Sequence, residues 1–161
     1  MLNFKVETYL KLILLVSLIS IISAYFLEYI LGYQPCNLCL IERIPYVLSI
    51  ILIITNLIIK RNEKIFILLL MLIFVFSFLV SFYHFGIEQG FFKESTVCGL
   101  KNVSDLISKE EIIKQLNEKT ISCKDVTFKV FGISLTSINI IISIFIIIIL
   151  IKIFKKNEKI N

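Results

Sequence analysis

The residues that could do chemistry here are four cysteines, Cys36, Cys39, Cys98 and Cys123. The first two form Cys36-Asn37-Leu38-Cys39, a C-x-x-C preceded by Pro35 and followed by an apolar run. On the first turn of a helix, a two-residue gap lets two sulfurs meet in a small, easily reduced ring. The helix N-terminus there favours the thiolate, the nucleophilic form. Taken alone, the motif also fits a structural disulfide or half of a zinc knuckle. Cys98 and Cys123 have 24 residues between them rather than knuckle spacing, so no metal site is expected. Four cysteines allow three pairings, and the connectivity stays open at this level.

Two further residues stand close to the motif or at a matching position. Arg43 lies four residues after Cys39, one helical turn away. An arginine at the start of an apolar helix is costly unless it snorkels beside a partner such as Glu42 or serves a site. Beside a redox pair, its guanidinium suits a quinone carbonyl and the anion that forms as a thiolate attacks the ring. His84, the one histidine, sits in Tyr83-His84-Phe85-Gly86-Ile87-Glu88 and suits either an interfacial position or proton handling near a quinone. Glu28 reads as interfacial, and Asn139 as a helix-to-helix packing residue.

The elements that position these residues are apolar blocks. Of the 161 residues, 58% are hydrophobic, against about 45–50% in ordinary soluble domains. The excess is concentrated in stretches near the roughly 20 residues that cross a bilayer. The sequence predicts an all-α membrane protein, a four-transmembrane-helix bundle over about 12–31, 40–59, 65–87 and 130–151 in a single integral domain, 1–161. Outer loops cover about 32–39 and 88–129. These blocks are rich in Ile, Val and Phe, yet backbone amides in hydrocarbon need internal partners, so helix prevails over strand propensity. The first block exceeds the 7–15 apolar residues of a signal peptide, so it is expected to be retained. Within the long loop, residues 103–118 predict short amphipathic helices, with Ser108-x-x-Glu111 as a capping box.

Charge gives the orientation. The N-terminal segment, the 60–64 connection and the tail hold nine basic residues against three acidic ones, while 88–129 balances seven against seven. By the positive-inside rule both termini are cytoplasmic, and all four cysteines face the periplasm, where disulfides persist. The net charge of +5 is therefore mostly a topology signal, and no nucleic-acid partner is expected.

Pro35-Cys36-Asn37-Leu38-Cys39-Leu40-Ile41-Glu42-Arg43 resembles the signature of the bacterial disulfide bond formation protein B (DsbB) family. The similarity continues through Tyr83-His84-Phe85-Gly86-Ile87-Glu88-Gln89-Gly90 to Cys98, and through Ser122-Cys123 to Phe131-Gly132-Ile133-Ser134-Leu135. It spans about residues 10 to 155, with all four cysteines in order.

The resemblance implies an inner-membrane bundle that reoxidises DsbA, a periplasmic thiol oxidant of thioredoxin fold, and delivers the electrons to ubiquinone or menaquinone. By motif, Cys98 would form the mixed disulfide with DsbA and Cys123 would be its partner. Cys36 and Cys39 would take the electrons onward, with Cys39 facing the quinone and Arg43 matching the family's quinone-site arginine. The absence of tryptophan departs from many members and bears on the shape of the quinone pocket. Two other readings compete. Vitamin K epoxide reductase-like proteins also combine a helical bundle with C-x-x-C, but their loop cysteines precede the motif. The other is a non-enzymatic membrane protein whose disulfides only brace its loop.

Overall fold

The computed structural model describes residues 4–59, 63–93, 98, 122–124, 129–130 and 132–158. The short helices expected over 103–118 lie outside the described residues.

Helix α1 is Phe4–Tyr29, 26 residues without Gly or Pro, about 39 Å long at about 1.5 Å per residue. The next apolar block is broken in two, α2 (Asn37–Ile41) and α3 (Ile44–Ile59). Helix α4 is Glu63–Glu88 and α5 is Leu135–Glu158. Among the described residues, four spans are long and apolar enough to cross a membrane: Val6–Tyr29, Asn37–Ile59, Glu63–Glu88 and Leu135–Lys155.

Two boundaries differ from those read off hydropathy. The helix expected over 40–59 begins three residues earlier and is interrupted at Glu42 and Arg43. Pro45 has no N–H to offer the Ile41 carbonyl and fits the first turn of a new helix instead. The Arg43 N–H accordingly bonds the Leu40 carbonyl at 3.2 Å, a tightened last turn. The helix expected from 130 begins at Leu135, because Lys129–Val130 and Ile133–Ser134 pair as a hairpin. Strand β1 (Lys129–Val130) pairs antiparallel with β2 (Ile133–Ser134), Lys129 opposite Ser134. Gly132 makes the turn at φ +84°, a left-handed conformation that side chains disfavour. Ser134 then caps α5, its Oγ accepting the Ser137 N–H at 3.3 Å.

Helix α4 packs along α5 and α1 along α3, with α3 joining the two pairs. Away from the cysteines the core is mostly apolar, with Leu10, Ile13, Ile53, Leu70, Phe74 and Leu150 fully buried beside a few small polar residues and Asn56. Midway, hydroxyl pairs pin the helices together: Ser17 to Ser49 at 2.9 Å and Ser77 to Ser143 at 3.1 Å. Small polar residues of this kind let helices approach and bond where the surroundings offer no water. Ile58, Leu72, Leu79 and Ile141 point outward, as suits contact with lipid. The four cysteines collect at the opposite end from the apolar core.

Candidate functional site

Cys36 is the N-cap of α2, with φ −72° and ψ 167°, and its Sγ accepts the Cys39 backbone N–H at 3.3 Å. The two sulfurs of the C-x-x-C are 2.7 Å apart. The hydrogen bond from the Cys39 thiol, opposed by burial and aided by the His84 ring, holds the Cys36 thiol down at about 4. Its ordinary value is near 8.5. These contacts favour the thiolate form of Cys36 when the pair is reduced.

The break at Glu42 and Arg43 sends the two charges in different directions. Arg43 turns toward α1, where its Nη1 donates to Glu28 Oε2 at 2.5 Å and its guanidinium lies 5.1 Å from the Tyr25 ring centroid. Glu42 turns inward and is 8% exposed. Its Oε1 is 2.8 Å from His84 Nδ1, and its Oε2 accepts from Asn139 Nδ2 at 3.1 Å. Asn139 also donates to Ser81 Oγ at 2.7 Å and accepts from the Tyr46 hydroxyl. The snorkelling pair of Arg43 with Glu42 is thus replaced by Arg43 with Glu28, and Asn139 joins α5 to α3 and α4 as expected of a packing residue.

His84 is buried at the centre of this arrangement. Its Nε2 lies 3.6 Å from Cys36 Sγ, and Thr136 Oγ1 lies 3.3 Å from its Nδ1. Thr136 donates to Glu88 Oε1 at 2.6 Å. One turn along α4 from His84, Glu88 brings that oxygen to 3.9 Å from Nε2.

Cys98 and Cys123 form a disulfide with Cα atoms 5.4 Å apart. Both are buried in one cluster with Cys36, Leu38 and Ile87. A cavity of about 690 Å³ opens beside this cluster, between the cysteine-end halves of α1 and α5. Cys36, Cys39, Cys123, Arg43 and His84 all line it; Cys98 does not. Its apolar walls include Ile19, Ile22 and Phe26 on one side, and Leu135, Ile138 and Ile142 on the other.

Cys36 Sγ, Cys39 Sγ and a His84 nitrogen lie within 4.8 Å of one another, a possible metal-ligand set. Two thiolates on one tetrahedral zinc stand about 3.8 Å apart, given Zn–S bonds of about 2.3 Å. The closer approach of Cys36 and Cys39 suits a pair that makes and breaks its own bond.

Sequence reasoning picked out the cysteines, Arg43 and His84 but missed the inward roles of Glu42, Glu88 and Thr136. The signal was present in their spacing. His84 and Glu88 are four apart on one helix face, Thr136 and Asn139 three apart, and polar groups in apolar helices tend to face one another.

A bundle of four membrane-length helices with a C-x-x-C and a second disulfide gathered at one end defines a membrane thiol–disulfide protein. The model of the family "Disulfide bond formation protein DsbB" matches residues 7–153. The chain belongs to that family, whose members act in disulfide bond formation at the membrane. An uncharacterized protein of Rickettsia prowazekii (strain Madrid E) is 33% identical over 144 residues, covering 88% of this chain and 84% of that protein. No solved structure matches the chain.

Proposed function

We propose that this protein reoxidises a periplasmic DsbA-type oxidant of thioredoxin fold and passes the electrons to a membrane quinone, ubiquinone or menaquinone. One observation carries the reading. The Cys98–Cys123 disulfide packs against Cys36, and the cavity at Cys36 and Cys39 lies between two helices whose outer surfaces are apolar. An aqueous dithiol and a lipid-dissolved oxidant thereby meet two adjacent sulfur pairs.

The partner's thiolate attacks the Cys98–Cys123 bond, and Cys98 carries the mixed disulfide. The partner's second thiol resolves it, leaving Cys98 and Cys123 reduced. These in turn reduce the Cys36–Cys39 disulfide by the same exchange. Each exchange is fastest when the leaving sulfur is a stable thiolate, the condition met at Cys36.

The cavity suits a quinone ring. Its volume falls within the roughly 300–1,000 Å³ usual for small-ligand sites, its walls are apolar, and Arg43 supplies a charged donor. When bound, a quinone supplies a two-electron, two-proton oxidant. Arg43 orients an acceptor oxygen and Glu28 holds the guanidinium in place. His84 keeps a ring nitrogen beside Cys36, where it can hold or pass a proton, and the α1 and α5 side chains exclude water.

The basic residues at the end remote from the cysteines support placing both termini in the cytoplasm of an inner membrane, with the cysteines in the periplasm. A purely bracing role would leave the C-x-x-C and its cavity without use. The decisive variant is Cys98→Ala. It is expected to insert into the membrane yet fail to reoxidise a reduced DsbA-type partner, and normal turnover would favour bracing.

A further inference from the structure

The hydrogen-bond directions around the His84 ring follow from its neighbours. Thr136 Oγ1 gives its hydrogen to Glu88, so toward His84 Nδ1, 3.3 Å away, it offers only lone pairs. The Glu42 carboxylate, 2.8 Å from the same nitrogen, is an acceptor as well. Two acceptors at Nδ1 place a ring hydrogen there. Nε2 is left facing Cys36 Sγ at 3.6 Å.

Glu42 is oriented from behind in its turn. The Tyr46 hydroxyl donates to Asn139 Oδ1, which turns the amide nitrogen the other way. Asn139 Nδ2 then donates to Glu42 Oε2 at 3.1 Å and to Ser81 Oγ at 2.7 Å. Glu42 thus receives a hydrogen at each oxygen, from Asn139 at one and from His84 at the other. A carboxylate accepts at both ends; an amide of the same shape would turn a second donor against one of these two. Glu42, Tyr46, Ser81, His84 and Asn139 are all buried. No water stands by there to repair a misdirected bond, so the directions are strongly enforced.

We infer that Glu42, oriented by Asn139, is a positioning residue: it fixes a ring hydrogen of His84 on Nδ1 and so reserves Nε2 for proton exchange with Cys36. The inference rests on the redox reading of the Cys36–Cys39 pair. No electrons move in the exchange. A proton passes from the Cys36 thiol to the Nε2 lone pair, or back, while the Nδ1 hydrogen stays on the ring. A neutral ring with its hydrogen on Nε2 would turn its lone pair toward Glu42 and could take nothing from Cys36. Thiol–disulfide exchange needs the attacking sulfur deprotonated and the leaving sulfur stabilised, so a correctly turned imidazole serves Cys36 in both directions.

The test compares the wild type with Glu42→Gln and with the double variant Glu42→Gln, Asn139→Asp. The double variant exchanges carboxylate and amide. Each hydrogen bond regains a donor and an acceptor, the net charge is kept, and an acceptor again faces His84 Nδ1. His84 is the one histidine of the chain, so protein labelled with ¹⁵N-histidine shows a single imidazole by NMR. The wild type should show a downfield Nδ1–H resonance that exchanges slowly with water. In Glu42→Gln that resonance should move upfield or be lost, and the double variant should restore it.

The second readout is the rate at which a soluble dithiol reduces the Cys36–Cys39 disulfide, followed by mass-spectrometric mapping. It should fall by about 100-fold in Glu42→Gln, the low end of what a positioned acid–base group supplies, and recover in the double variant. An unchanged resonance or an unchanged rate in Glu42→Gln overturns the inference and leaves Glu42 as a tie between helices. Failure of the double variant to recover either one overturns it too, because the carboxylate would then act by its charge rather than by its direction. If Glu42→Gln does not fold, the double variant decides alone by keeping or losing the resonance and the rate. A wild-type pair that no dithiol reduces would sink the redox reading, whereas the resonance tests the tautomer separately.

Discussion

His84 Nε2 stands 3.6 Å from Cys36 Sγ although 48 positions separate the two residues. The imidazole is held there from its other side by Glu42, at 2.8 Å. A carboxylate, an imidazole and a thiol are thus in line across α4 and the α2–α3 segment. The arrangement explains why a membrane-edge histidine is buried, and it favours the thiolate at the first cysteine of the motif.

The reactivity of Cys36 should carry this signature. With its thiol held at about 4, the reduced protein should react with iodoacetamide at a nearly constant rate from about pH 8 down to about pH 5. An ordinary thiol slows about tenfold per unit below about 8.5. In His84→Gln the thiolate loses a hydrogen bond and a positive neighbour, so Cys36 ionises at higher pH and alkylation at pH 5 should slow. A rate that falls tenfold per unit in the wild type removes the thiolate from the account. Mass-spectrometric mapping of the labelled peptide makes the measurement specific to Cys36.

For Arg43→Ala the expected defect is confined to the acceptor side. A charge-assisted hydrogen bond contributes about 1.5–3 kcal/mol, so apparent affinity for quinone should fall by about 10- to 100-fold. Exchange between Cys98–Cys123 and a partner dithiol should stay close to normal. Glu28→Gln should weaken quinone binding less, because it leaves the guanidinium present but less well held. Steady-state kinetics with varied quinone checks both, and an unchanged KM in Arg43→Ala would take that residue out of the site.

A third expectation concerns how α4 hands the chain on toward Cys98. A Cβ on Gly86 would overlap the Phe92 ring, which stacks on Tyr83 with centroids 5.6 Å apart. Gly86→Ala should displace Phe92 and destabilise the protein by about 1–3 kcal/mol, the usual cost of overpacking. Adding Phe92→Ala should recover part of the loss, because the clash is then gone. Thermal unfolding in detergent distinguishes the cases. Equal stability of the single variant and the wild type would show that the ring moves aside without cost.

Much of this architecture was legible in the residues. The four spans follow from apolar blocks of bilayer length, and the grouping of the cysteines at one end from where those blocks stop. The break at Glu42 and Arg43 was not legible in hydropathy, which averages over the one position, Pro45, where the missing N–H changes the backbone. The hairpin at 129–134 was hidden likewise, because Val130, Ile133 and their neighbours are as apolar as the helix they precede. Glu42 is the most instructive miss. Beside Arg43 in sequence it reads as a surface partner, and only the turn at the helix junction shows that the two side chains diverge. Its true partners, His84 and Asn139, are 42 and 97 positions away, and a single sequence carries no signal for pairings so distant.

The central claim is that electrons from an aqueous dithiol cross both sulfur pairs to an oxidant in the bilayer. Its most direct test is anaerobic mixing of the purified protein with a reduced thioredoxin-fold partner and a soluble quinone analogue, following quinone absorbance. The account predicts loss of one quinone per partner disulfide formed, abolished in Cys36→Ala and in Cys98→Ala. Quinone absorbance that is indifferent to the partner, or that falls equally in the two variants, would contradict it.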